Sequence, residues 1–202
     1  MKLIAATTTA LFVAAFFGPI SQAEELPKTE PIFNGSDFTG WEVPKDNIWF
    51  SAEGGILKVQ SGPNKKGQTL WTEKEYTDFV MEFEFKMGEG TVDSGIFVRT
   101  EKEQIQIGIS GSLKRDMTAS PFIAGPGYPV EAEGVKELLK TKEWNSMRIV
   151  AQGKTYKVWL NGKEVMTYTS ETAVPKGRLG IQLHGGKEMT IEYREIKAAD
   201  LK

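Results

Sequence analysis

His184 is the only histidine in the 202-residue chain, and it follows a strand-like run, Leu179 to Leu183, just before Gly185 and Gly186. Leu179, Ile181 and Leu183 alternate there with Gly180, Gln182 and His184, so an amide and an imidazole share one face. Histidine trades protons near neutral pH, and the glycine pair lets other groups approach closely. The same parity applies to two more segments. From Asp93 to Arg99, Ile96 and Val98 take the core face, leaving Asp93, Gly95, Phe97 and Arg99 on the other. From Glu103 to Ile109, Ile105 and Ile107 point inward and Gln104 and Gln106 outward. One sheet face is therefore expected to present a carboxylate, a guanidinium, three carboxamides and an imidazole. Each carboxamide offers both a donor and an acceptor, which suits a polyol such as a sugar. The competing reading is a plain solvated face, but such faces look different in this chain. Glu82, Glu84 and Lys86 are freely charged and carry no glutamine. The Glu82/Glu84 pair resembles the paired acids of sandwich-fold glycosidases, yet Val80 stands where a third polar group belongs. A solvated face is the expectation there.

These groups need strands to hold them. Phe79, Met81, Phe83, Phe85 and Met87 alternate with Val80, Glu82, Glu84 and Lys86, giving one apolar and one largely charged face. Further runs span residues 55–60, 68–71, 94–100, 103–109, 146–151, 155–160, 163–168, 178–183 and 189–196. Asn161-Gly162 predicts a two-residue hairpin, because both residues tolerate positive φ. Many short strands at close spacing predict an all-β sandwich of two antiparallel sheets. Only Glu133 to Lys140 suggests a helix. Gly111 to Gly134, with Pro121, Pro126 and Pro129, predicts a long loop; Phe122, Ile123 and Tyr128 equip it to pack as a lid.

Residues 1–23 read as a signal peptide: Lys2, the apolar stretch Leu11 to Phe17, and Ser21-Gln22-Ala23 before Glu24. Export to the periplasm or the extracellular space is the expectation. The apolar stretch is too short for a bilayer span. Residues 24–30 read as a flexible lead-in and 31–202 as one domain. With no cysteine, packing alone must hold the fold. A net charge of −2 with interspersed signs argues against nucleic-acid or anionic-membrane partners. There is no Gly-x-Ser-x-Gly elbow, cysteine nucleophile or Gly-rich phosphate loop, and one histidine cannot build a His-rich zinc site.

Several blocks closely resemble the 3-keto-disaccharide hydrolase family, also described as 3-keto-glucoside 1,2-lyases and 2-hydroxy-3-keto-glucal hydratases. They are Ile32-Phe33-Asn34-Gly35-Ser36-Asp37-Phe38-Thr39-Gly40-Trp41, then Asp93-Ser94-Gly95-Ile96-Phe97-Val98-Arg99 and Glu143-Trp144-Asn145. Trp159-Leu160-Asn161-Gly162 and Gly180-Ile181-Gln182-Leu183-His184-Gly185 complete the set. The resemblance implies a concanavalin-like jelly roll and cleavage of 3-keto-glucosides, by C2 proton abstraction and C1 elimination followed by hydration. It implies His184 as base or acid and Arg99 as the clamp on an enolate or hydroxyl. Gln104, Gln106 and Gln182 would orient the sugar. Asp93 would orient Arg99 or His184, or ligate a divalent cation. An upstream sugar 3-dehydrogenase would supply the substrate. Two departures stand out: the family usually has Asn where this chain has Asp93, and Glu where it has Gln104. The second reading is a non-catalytic carbohydrate-binding module that stacks sugar on an exposed ring. Of the five tryptophans, Trp159 lies opposite Val158 and Leu160 and is the expected surface ring.

Overall fold

A computed structural model of the protein describes residues 26–201, so the leader segment 1–23 lies outside the described residues. The strands, in chain order, are β1 (Glu30–Pro31), β2 (Trp41–Glu42), β3 (Phe50–Glu53), β4 (Ile56–Gln60), β5 (Gln68–Tyr76), β6 (Phe79–Gly90) and β7 (Asp93–Arg99). They continue with β8 (Glu103–Gly108), β9 (Pro121–Ile123), β10 (Asn145–Gln152), β11 (Thr155–Leu160), β12 (Lys163–Thr169), β13 (Gly177–Leu183) and β14 (Met189–Asp200). They form a jelly-roll sandwich of two antiparallel sheets. One runs β12-β11-β10-β6-β14-β4-β3, with β1 added beside β14; the other runs β2-β5-β13-β7-β8-β9.

Alternation makes the core. Phe79, Met81, Phe83 and Phe85 of β6 meet Ile96, Val98, Ile105, Ile107, Leu179 and Ile181 of the facing sheet, all nearly sealed from solvent. Burial of this apolar surface replaces the disulfides the chain lacks. A polar tie crosses the core beneath the later site: the Ser94 hydroxyl donates to the Gln182 carbonyl at 2.6 Å and lies 2.9 Å from the Tyr193 hydroxyl. Complete burial raises the Tyr193 phenol far above its ordinary value, so it stays a neutral hydrogen-bonding group. Asn161 and Gly162 take the expected positive φ, 49° and 83°, and close β11 onto β12.

The structure differs from the sequence reading in three places. The segment Gly111–Gly134 is not one long loop. Its middle forms edge strand β9, which pairs with β8, and Met117, Ala119 and Ile123 are buried. Proline is tolerated at an edge because no ladder donor is required of it there. The helix shrinks to one turn, Val135–Leu138. The lead-in is tied down near its end, where Thr29 donates to Glu82 at 2.7 Å and Glu30 pairs with Ala198.

At one end of the sandwich a charged cluster is buried. Glu103 accepts hydrogen bonds from Tyr156, Ser170 and Thr172 at 2.5, 2.8 and 2.6 Å. Burial first, and the Glu103 carboxylate second, push the Tyr156 phenol far up. Changing Glu103 to Ala strands three hydroxyls and opens a void. We expect a loss of about 3 kcal/mol in urea unfolding; an unchanged midpoint would contradict the account.

Candidate functional site

The outer face of the β2-β5-β13-β7-β8-β9 sheet carries its side chains in rows across the strands, fixed by register. In the first row Trp71 lies opposite Gly180, Gly180 opposite Phe97, Phe97 opposite Gln104, and Gln104 opposite Phe122. In the second, Thr69 faces Gln182, Gln182 faces Gly95, and Gly95 faces Gln106. In the third, the His184 amide donates to the Asp93 carbonyl at 3.2 Å. The rows therefore run from aromatic, through amide, to acid–base.

Two glycines make these rows possible. A Cβ on Gly180 would sit 2.7 Å from the Trp71 ring. Its absence lets Trp71 and Phe97 lean together over it, with centroids 5.3 Å apart and planes 20° from parallel. A Cβ on Gly95 would come within 3.1 Å of Gln104 Oε1 and 2.7 Å of the Ile105 carbonyl.

The acid and the amides form a directed relay. The Asp93 carboxylate accepts from Gln106 Nε2 at 2.9 Å, and Gln106 Oε1 accepts from Gln104 Nε2 at 2.9 Å. A carboxylate can only accept, so each amide's orientation follows from the charge at Asp93. The far end is then an oxygen, Gln104 Oε1, with no partner. Six buried side-chain polar atoms among the described residues lack a partner, and three are here: Asp93 Oδ2, Gln104 Oε1 and Gln182 Oε1. All three are acceptors, and an unpaired buried acceptor is costly. A ligand that relieves them brings O–H or N–H donors, or a cation that oxygens can coordinate. Hydroxyl-rich molecules bring such donors; phosphates and carboxylates do not.

His184 stands beside the relay. Its Nδ1 lies 2.8 Å from the Gly185 carbonyl, which can only accept, so Nδ1 carries the proton and neutral Nε2 holds a free lone pair. Asp93 Oδ2 lies 3.6 Å from Nδ1. That carboxylate oxygen faces the protonated side of the ring and has no hydrogen-bond partner of its own.

These groups line a cavity of about 420 Å³, walled opposite the relay by Phe122 and Tyr128. The two rings meet edge to face at 5.4 Å. Burial, reinforced by the charge of Asp93 and partly offset by a hydrogen bond with Ser110, raises the Tyr128 phenol. It is a proton donor at neutral pH. Lys114 and Lys187 also border the cavity.

The structure thus brings Asp93, Gln104, Gln106, Gln182 and His184 together. It does not bring Arg99 or Trp159. Arg99 has φ of 63°, which ends strand alternation, and its guanidinium turns away to the Gly153 and Pro175 carbonyls at 2.8 and 3.4 Å. Trp159 does face outward, but from β11 of the other sheet, beside Glu82, Glu84 and Arg148. The two glutamates there pair with Arg148 and Arg194 at 2.6 Å, as a solvated face would. The sequence reading has Phe122 and Tyr128 on a segment packing as a lid and Trp71 as one of five tryptophans, and assigns none of the three to this face. Parity on residues 68–71 would have set Trp71 beside Thr69, opposite the buried Leu70. At Asp93 one carboxylate oxygen, Oδ2, is open to a divalent cation. Gln106 already occupies Oδ1, and no group of three or more His, Asp or Glu side chains among the described residues is placed to hold a metal.

The sequence profile of the 3-keto-alpha-glucoside-1,2-lyase-like domain matches residues 28–199. The chain belongs to that family. No curated protein matches it in sequence. Among solved structures, a protein of Parabacteroides distasonis provisionally named a glycosyl hydrolase is 24% identical, with 87% of this chain and 100% of that one aligned and a TM-score of 0.65. A second protein of that organism and description is 20% identical, with coverages of 86% and 94% and a TM-score of 0.66. A carbohydrate binding module of Bacillus subtilis is 13% identical, with coverages of 80% and 96% and a TM-score of 0.59. At these identities the likeness is one of fold. The family itself indicates a carbohydrate-acting, glycosyl hydrolase-like protein.

Proposed function

We propose that the protein is an exported enzyme that cleaves glucosides already oxidised at C3, by elimination and hydration. The observation that carries this reading is the pairing of a free imidazole Nε2 with three unpaired acceptors in one cavity. Acceptors bind the hydroxyls of a sugar, and the imidazole supplies a base that ordinary sugar binding does not need.

The chemistry follows from the ketone. A C3 carbonyl acidifies the C2 hydrogen, because the electron pair released from the C2–H bond spreads onto the carbonyl oxygen. His184 Nε2 takes that proton. The enolate then restores the C3 carbonyl and forms a C1=C2 double bond as the C1–O bond breaks. The leaving oxygen departs with that bond's electron pair and receives a proton, and the imidazolium can supply the one it has just taken from adjacent C2. Water adds back, hydroxyl to C1 and hydrogen to C2, giving 3-keto-glucose. Asp93 steadies the imidazolium. Tyr128, Lys114 and Lys187 replace Arg99 as the groups able to favour negative charge on the C3 oxygen.

Incubation with a panel of 3-keto-glucosides should release 3-keto-glucose or the corresponding glucal. Retention of sugar without product from any of them would favour the binding-module reading, which the fold also fits. The raised Tyr128 phenol adds a second expectation. Because its neutral form persists to higher pH, its loss of activity through ionisation should begin only at a pH above that at which an ordinary tyrosine ionises. Tyr128→Phe should remove that alkaline limb and lower turnover about tenfold; an unaltered profile would remove the phenol from the chemistry.

A further inference from the structure

Gly111 borders the acid–base end of the cavity, in the turn that the Lys114 amide closes on the Ser110 carbonyl at 2.9 Å. Its φ is not among the positive ones, so a residue with a side chain fits this backbone. What the glycine supplies is room. A Cβ here would lie 3.1 Å from Asp93 Oδ2 and 3.8 Å from His184 Cε1. Asp93 is 2% exposed, its Oδ1 is taken by Gln106, and its Oδ2 has no partner. The space that Gly111 keeps open therefore meets a buried lone pair on one side and the imidazole edge on the other. It lies close to hydrogen-bond length from the first.

We propose that this space holds the water that adds to C1, hydrogen-bonded to Asp93 Oδ2, and that glycine at 111 decides whether the protein hydrates the glucal or releases it. The inference rests on the elimination–hydration reading and separates its second half from its first. Elimination uses the imidazole and the groups that grip the sugar. Hydration needs an oriented water as well, and an acceptor-only oxygen orients one by taking one of its O–H bonds. Once the leaving oxygen is protonated, His184 Nε2 is free again. It takes the other water proton as the water oxygen bonds to C1. The C1=C2 electron pair shifts to C2–C3, and the carbonyl pair moves onto the C3 oxygen. The imidazolium then gives that proton to C2 as the C3 carbonyl reforms. Because one nitrogen serves both oxygens, the water enters on the face that the leaving group left.

The test follows a 3-keto-glucoside and, separately, the 2-hydroxy-3-keto-glucal with wild type and Gly111→Ala. The variant should consume the glucoside within about threefold of wild type but hydrate the glucal at least about tenfold more slowly, so that glucal becomes its main product. An unchanged product ratio, or equal losses in both steps, would overturn the assignment and leave the elimination–hydration reading standing. Wild type inert toward both compounds would overturn that reading and this inference with it. A second measurement needs no variant. Proton NMR of the first 3-keto-glucose formed by wild type, sampled before mutarotation, should show the anomeric configuration of the substrate retained; inversion would put the water on the far side of the ring from the imidazole and sink the proposal. Since Oδ2 is also open to a cation, hydration is measured with and without a chelator. Indifference to the chelator is expected, and hydration lost with it and restored by calcium would overturn the direct contact between water and Asp93.

Discussion

Changing His184 to Ala is expected to lower kcat/KM on a 3-keto-glucoside about a thousandfold, with little change in the urea unfolding midpoint. The two expectations come from one geometry. The imidazole is nearly half exposed, at 46%, and makes a single side-chain hydrogen bond, to its neighbour's carbonyl. Its removal therefore leaves no void in the core and strands no buried group. Its Nε2, however, is the one free imidazole nitrogen in the chain, and C2 deprotonation depends on a base near neutrality. His184→Gln keeps the shape and polarity but not the basicity, so it should be nearly as poor as alanine. Near-normal turnover in either variant would take His184 out of the reaction.

Asp93→Asn should lower kcat/KM about a hundredfold, and adding Gln104→Glu should recover much of that loss. Asp93 does two things. It fixes the direction of the relay through Gln106, and it places negative charge 3.6 Å from the His184 ring. Asparagine can donate as well as accept, so the amides lose their common orientation and the imidazolium loses its neighbour. A carboxylate at 104 would draw Gln106 Nε2 to itself, and Gln106 Oε1 would accept from the amide at 93. The oxygen left at 93 would again be a free acceptor. The double variant thus reverses the relay and moves the charge from one end to the other. That is the arrangement usual in the family this chain resembles. Measured kcat/KM values for both singles and the double form the cycle. A double variant no better than Asp93→Asn alone would show that the two positions do not act through one relay.

Much of this architecture was legible because alternation is a local property of a strand. Ile96 and Val98, Ile105 and Ile107, and Ile181 and Leu183 all proved buried, which sent Asp93, Gln104, Gln106, Gln182 and His184 to the opposite face together. Alternation stops being informative where the backbone leaves the strand. Arg99, at positive φ, fell outside the rule and anchors a chain turn instead. It is also silent about which sheet a strand joins. Trp159 does point outward, but β11 and β13 lie in different sheets, and only long-range pairing decides that. The short strands β1, β2 and β9 carry too few residues to show a period. β9 was further masked by the prolines and glycines around it, so Phe122 and Tyr128, which complete the cavity wall, read as residues of a packing loop and not as neighbours of β8. The site's polar floor was therefore readable from sequence; of its aromatic walls, the packing of Phe122 and Tyr128 was readable but not the strand that places them.

The central claim is that this site breaks a C2–H bond before it breaks the C1–O bond. Reaction of a 3-keto-glucoside in deuterium oxide, sampled early against an enzyme-free 3-keto-glucose control, tests it directly. Elimination followed by hydration predicts deuterium at C2 of the first product formed, in excess of the control. Product that retains its original C2 hydrogen while the glycosidic bond is cut would contradict the account.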